Sequence, residues 1–235
     1  MISAQSVKTF DFAITHCDSG VVNTYHMNSR FYDSRAGIVF DSSDQVLYAT
    51  YAEIKSRVKV NDLVLRTCLE RVSTFTSREV GGEERQLNLE AVLRDIYLSQ
   101  APSDMRMHIA QVLISRGEYR DIISVQGIGA ANVFQVGMEE IIPLISYPYL
   151  IGGLPVGLAS PIYQSTTNFG EITYSFRTEN PVNQAPLIIG GHEINQIAIK
   201  DLITNGELPN TSEGILKRIV QRLRSARPFT VAVIL

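Results

Sequence analysis

The chain has 235 residues, 45% of them hydrophobic and 19% charged, with 21 basic and 24 acidic side chains and a net charge of −3. This balance excludes a disordered chain, and no run approaches the roughly 18 apolar residues of a membrane-spanning helix. An acidic chain of this size has no general attraction for nucleic acid or anionic membrane, and its length suits one large domain or two small ones.

The first 50 residues read as strands. Phe10, Phe12 and Ile14 alternate with Asp11, Ala13 and Thr15, a period of two. Asp18-Ser19-Gly20 is a turn tripeptide, and Val21 to Met27 returns as the second arm of a hairpin. Ile38 to Phe40 and Gln45 to Tyr51 flank the polar cluster Asp41-Ser42-Ser43-Asp44, which predicts a second hairpin. From about residue 61 the period changes. Leu65, Cys68, Leu69 and Val72 recur at helical spacing, with Asn61 or Asp62 as N-cap. Leu89, Val92, Leu93 and Ile96 follow the cap Asn88, and Met105, Ile109, Val112 and Leu113 follow Ser103. The spacing predicts three helices, over 61–76, 88–99 and 103–116.

Then the composition shifts. No Lys or Arg occurs between Arg120 and Arg177, and over residues 121–170 the charged groups are Asp121, Glu139 and Glu140. Short strands over 133–136 and 138–146 are expected, followed by an apolar loop over 147–160. Loops normally run through water, so a loop carrying Leu150, Ile151, Leu154, Val156 and Leu158 points to burial by another subunit. Ile172, Tyr174 and Phe176 alternate as a half-buried strand, and Pro186 to Ile189 and Ile194 to Ile199 read as two more. A last helix over 212–226 carries Ile215, Leu216, Ile219, Val220 and Leu223 on one face. Phe229 to Leu235 is an apolar strand that must pair, within the chain or with a neighbour, since no charge blunts its edge. Strands, then helices, then strands predict an α+β fold. Its mostly antiparallel sheet, built from the N-terminal and C-terminal strands, packs with three to four helices in a single domain over 1–235. A boundary near residue 120 is the alternative.

Chemical motifs are sparse. Gly127-Ile128-Gly129 resembles a dinucleotide-binding turn, but Asn132 stands where the third glycine belongs, and no P-loop is present. His192-Glu193 lacks the second histidine of a zinc-protease helix, since Gln196 takes its place. No cofactor or metal is expected. His16 and Cys17 are adjacent on a strand and point to opposite faces, so they cannot pair as base and nucleophile. Asp18-Ser19-Gly20 after a strand, with Leu187-Ile188-Ile189-Gly190 later, resembles the catalytic loop and supporting segment of retropepsin-like aspartic proteases. That chemistry needs two such carboxylates sharing a proton, which one chain supplies only as a symmetric dimer. Asp18 is accordingly read as a turn residue.

The basic residues are 16 Arg and 5 Lys, a bias towards protein contact surfaces. Lys217, Arg218, Arg222 and Arg224 lie on the helix face opposite Ile219 and offer a contact for an acidic partner. Cys17 and Cys68 have no metal-like spacing, and Met1 to Phe12 does not read as a signal peptide, so the expected location is intracellular and cytoplasmic. These features lead to the expectation of a non-enzymatic structural subunit that self-assembles into a homo-oligomer. The virion class (tail-tube, tail-completion or capsid-associated protein) is the one named, with a virion location if the source is viral. Its interface would be Leu150, Ile151, Leu154, Val156, Leu158, Phe229, Val231 and Val233. Its partners would be itself and other structural subunits, with no nucleic acid and no membrane. The alternatives are a hydrolase of aspartic-protease type using Asp18 and a protein-binding adaptor using the 147–160 loop.

Overall fold

Period-two alternation dominates the chain, and it builds two facing antiparallel sheets. The computed structural model describes residues 10–18, 21–26, 31–32, 36–42, 46–55, 69, 106–116, 121–128, 131–137, 140–145, 150–151, 154–155, 158–159, 173–180, 185–191, 193–194, 199–200, 202, 208–223 and 229–235. The first sheet has six strands, in the spatial order β2 (Val21–His26), β1 (Phe12–Asp18), β15 (Phe229–Ile234), β14 (Leu187–Gly190), β8 (Asn132–Val136) and β9 (Ile141–Ile145). The second runs β13 (Thr173–Asn180), β7 (Asp121–Ile128), β6 (Arg106–Ser115), β5 (Val46–Lys55), β4 (Ala36–Ser42) and β3 (Phe31–Tyr32), and β12 (Leu158–Ala159) also pairs with β6. β10 (Leu150–Ile151) and β11 (Leu154–Pro155) form a small separate hairpin. Both N-terminal hairpins expected from the sequence are present, as β1–β2 and β4–β5.

The C-terminal strand pairs within the chain. β15 lies between β1 and β14, with Phe12 opposite Ile234 on one side and Leu187 opposite Ile234 on the other. All six of its residues are buried. Ala232 and Ile234 face the second sheet, and Phe229, Val231 and Val233 face the helix layer. A strand covered on both sides carries apolar residues continuously, which is why this segment lacks alternation.

The helix layer contains α1 (Ser212–Arg222), whose Ile215, Leu216 and Ile219 bury against Ala13, Val231 and Val233. Thr211 caps it, its hydroxyl accepting from the Gly214 N–H at 3.2 Å. The Asp11 carboxylate adds a long-range cap, accepting from the Ser212 backbone N–H at 2.8 Å and its hydroxyl at 2.7 Å. This fastens the start of α1 to the start of β1.

Four expectations are corrected. The fold is mostly antiparallel sheet with one delimited helix among the described residues, not a sheet packed with three to four helices. The segment read as a helix over 103–116 is strand β6. Residues 108–112 are buried without interruption, so burial marks neither face of the strand and the apolar residues match helical spacing by chance. Of the segment read as a strand over 194–199, Ile194 closes a turn and Ile199 is helical, while residues 195–198 lie outside the described residues. The helices expected over 61–76 and 88–99 lie outside the described residues, except for Leu69, which is helical and buried. Within 147–160 the chain forms β10, β11 and β12 where a loop was expected.

Between the sheets the interior is apolar for most of its length, with Ile14, Ile38, Leu47, Val112, Ile189 and Ile234 in contact. One end is closed by aromatic rings. Phe12 stacks on Phe40 at 4.2 Å, and the Arg116 guanidinium lies 3.9 Å over Phe10. No helix among the described residues is long and apolar enough to cross a membrane.

Candidate functional site

At the other end the interior becomes polar. On β5 the residues Leu47, Ala49 and Tyr51 belong to the core between the sheets, and the same alternation brings Glu53 to that side. On β6 Ala110 and Val112 face inward, so His108 does too, and it stands directly opposite Glu53 in the strand register. The first sheet repeats the pattern. Phe12 and Ile14 are followed inward on β1 by His16, and Ile234 and Ala232 lead inward on β15 to Thr230. His16 and Thr230 are register partners, with His16 Nδ1 2.9 Å from Thr230 Oγ1. Glu53 and His108 are only 4% and 0% exposed. Buried groups of this kind are costly unless paired, so their grouping in one place needs a reason beyond packing.

Gly191 is the meeting point of the two sheets here. A Cβ at Gly191 would lie 2.5 Å from Glu53 Oε2, 2.8 Å from the Tyr51 hydroxyl and 3.0 Å from Glu193 Oε2. Two carboxylates and a phenol therefore converge on one backbone position. Burial above all holds the Tyr51 hydroxyl proton well above the ordinary tyrosine range. The charges of Glu53 and then Glu193 act in the same direction, as does the hydrogen bond that the hydroxyl donates to Glu53.

The loop carrying Glu193 follows from local sequence. β14 ends at Gly190 and Gly191 follows it, where Ile194 folds back so closely that a Cβ on Gly190 would overlap its side chain. The Ile194 N–H donates to the Gly191 carbonyl at 3.0 Å, closing the turn. Asn132, the first residue of β8 and the register partner of Gly190, donates from Nδ2 to Gly191 O at 3.1 Å and to Ile194 O at 2.8 Å.

Glu53 is buried and Glu193 half-buried with its Oε2 out of solvent; both are hard oxygen donors, and two neighbouring carboxylates so placed favour a shared proton or a cation. Among the described residues no group of three His, Cys, Asp or Glu is placed to hold a metal ion. The pair suits a cation such as magnesium, which keeps several waters and takes one or two carboxylates.

The residues singled out from sequence are distributed elsewhere. Asp18 ends β1 opposite Val21, and its side chain lies outside the described residues. Leu150, Ile151, Leu154 and Leu158 fall in β10 to β12, again without described side chains, and Val156 lies outside the described residues. Phe229, Val231 and Val233 are buried against the helix layer of their own chain. Lys217 is exposed on α1 and paired with Glu213 at 2.7 Å, Arg222 is exposed, Arg218 is half-buried, and Arg224 lies outside the described residues. Sequence reading missed Tyr51, Glu53, Glu193 and Asn132 as members of one site. The signal for Glu53 was present: extending the predicted 45–51 strand by one alternation puts an acid on its apolar face.

No protein-family model matches the sequence, and no curated protein matches it. Solved structures share its architecture. RsbX in complex with magnesium aligns over 100% of this chain and 98% of its own, with a TM-score of 0.61 and 10% identity. The catalytic domain of the serine threonine protein phosphatase PstP, in complex with two manganese ions, aligns over 96% of this chain and 98% of its own, with a TM-score of 0.59 and 11% identity. The PP2C phosphatase domain of SpoIIE from Bacillus subtilis, with a fragment of its regulatory domain, gives a TM-score of 0.60 at 10% identity. That match covers 96% of this chain and 62% of the SpoIIE chain. At such identities the likeness establishes the fold, which is that of PP2C-type phosphatase domains. It overturns the expectation of a non-enzymatic virion subunit, with its Asp18 hydrolase and adaptor alternatives, and leaves the expected virion location without support.

Proposed function

We propose that the chain is a divalent-cation-dependent phosphatase domain of the PP2C type, which removes phosphate from serine or threonine of a partner protein and thereby regulates it. The observation that carries this reading is the likeness to PP2C-type domains over 96–100% of the chain, with the buried Glu53 and the half-buried Glu193 brought together at Gly191. Two of the similar structures hold magnesium or manganese, ions that prefer oxygen ligands. In this chain Glu53 and Glu193 are the groups that would hold such an ion. A divalent cation bound there supplies charge neutralisation for a phosphoryl group. Tyr51 stays neutral across the physiological range and orients Glu53 by donating to it. The apolar core beneath excludes water from the inner side of the carboxylates.

The test is release of phosphate from p-nitrophenyl phosphate and from a phosphothreonine peptide by the full chain, with magnesium, manganese or a chelator. Hydrolysis that requires the cation, and that falls to the background rate in a folded Glu53→Gln variant, is the expected result. Absence of cation-dependent release from both substrates, by a protein shown to be folded, would overturn the reading.

A further inference from the structure

We infer that Asn132 is a positioning residue, whose single side-chain amide fixes the 191–194 turn and so sets where Glu193 stands against Glu53 and Tyr51. The inference rests on the phosphatase reading for its kinetic consequence, but not for its geometry.

The geometry is specific. Asn132 is 6% exposed, and both N–H bonds of its amide are used, one on the Gly191 carbonyl and one on the Ile194 carbonyl. Two carbonyl partners also settle which end of the amide is nitrogen, because only that end donates. The Gly191 carbonyl accepts a second bond, from the Ile194 N–H, so both its lone pairs are engaged. The first and last residues of the turn are thus held by one side chain from a neighbouring strand. Glu193 lies between those two anchors, and Gly191 itself touches the Glu53–Tyr51 pair. A turn anchored only by its own backbone bond would have freedom to swing Glu193 outward. The Asn132 amide removes that freedom, as an outer-shell partner orients a ligand.

A generic structural role makes a different forecast. Loss of any buried amide lowers stability, but it loosens the Ile194 N–H bond to the Gly191 carbonyl selectively only if the turn itself is freed. The experiment compares Asn132→Ala and Asn132→Asp with Gln111→Met. Asn132→Asp keeps the shape and loses both donors. Gln111 is equally buried on β6, where alternation turns it away from the site, and it donates to Thr50 at 3.4 Å. The readout is hydrogen exchange of the Ile194 amide, whose N–H closes the turn on the Gly191 carbonyl. Both Asn132 variants are expected to lower Ile194 protection by about 10-fold and to lower kcat by about 10–100-fold with KM unchanged. Gln111→Met is expected to cost stability and leave Ile194 protection in place. A folded Asn132 variant with unchanged Ile194 protection, or a Gln111→Met loss of equal size, would overturn the inference. If wild type releases no phosphate, the phosphatase reading falls, while Ile194 protection still decides the role of Asn132.

Discussion

Gly191→Ala gives the most direct test of the convergence at the polar end of the sandwich. The added methyl would stand 2.5 Å from Glu53 Oε2 and 2.8 Å from the Tyr51 hydroxyl, where ordinary contact begins at 3.4 Å. Glu53 Oε2 must therefore retreat by roughly 0.9 Å. It cannot do so freely, because the Tyr51 hydroxyl is hydrogen-bonded to the Glu53 carboxylate and a Cβ would crowd both groups at once. Overpacking of a filled site costs about 1–3 kcal/mol, and weakening a hydrogen bond to a charged group costs about 1.5–3 kcal/mol. A combined loss of about 2–4 kcal/mol allows for partial relaxation of the flexible Glu53 side chain. For a protein of this length that lowers Tm by about 4–16 °C. Thermal unfolding followed by circular dichroism measures it, with Gly137→Ala as the control. There the nearest contact is the Glu140 carbonyl at 3.2 Å on a half-buried turn, and the expected loss is smaller. A Gly191→Ala protein melting within about 2 °C of wild type would refute the packing of both side chains onto Gly191.

Three other outcomes are expected. The Tyr51 proton is held above the unfolded value of 10.0, so its contribution is complete below pH 10. Above it the unfolded chain loses a proton that the fold retains, and stability falls by about 1.4 kcal/mol per pH unit until Tyr51 ionises in the folded state. Urea unfolding between pH 8 and 11 should show a steeper decline for wild type than for Tyr51→Phe, and equal slopes would contradict the assignment. Deleting residues 229–235 removes Phe229, Val231, Val233 and Ile234, worth about 6–12 kcal/mol of burial against a total stability of about 5–15 kcal/mol. The truncated chain should fail to fold, and a soluble product with a native circular dichroism spectrum would show that β15 is dispensable. Asp11→Ala should cost about 0.5–2 kcal/mol and fray the first turn of α1. Unchanged hydrogen-exchange protection over residues 212–216 would show that the cap at Ser212 contributes nothing.

Much of the fold was legible because punctuation and period agreed. β1, β4 and β5 alternate between core and opposite face, the sequence between paired strands is polar, and α1 begins at a cap and shows one apolar face. Reading failed in one element buried on both faces, although β15, equally buried, is legible as a strand from its β-branched run. In β6 the run His108, Ile109, Ala110, Gln111 and Val112 has no exposed member, so neither a period of two nor one of 3.6 is written in its polarity. Ile194 and Ile199 failed for a related reason: both are fully buried, one in a turn and one in a helical segment. Burial alone does not say which backbone delivers it.

The site was harder to read because no spacing in the sequence encodes it. Tyr51 and Glu53 share a strand, but Asn132 and the pair Gly191 and Glu193 come from two other parts of the chain, and strand register brings them together. What the sequence does carry is a change of residue type at the same level on four strands. Thr230 and His16 end the apolar run in one sheet, and Glu53 and His108 end it in the other. Packing would favour apolar residues at all four positions, since an acid or imidazole taken out of water must recover its hydration through partners. A single such residue reads as a satisfied core group. Two register pairs, one in each sheet, with a loop that adds a second carboxylate beside Glu53, mark where the interior stops being filled for stability alone.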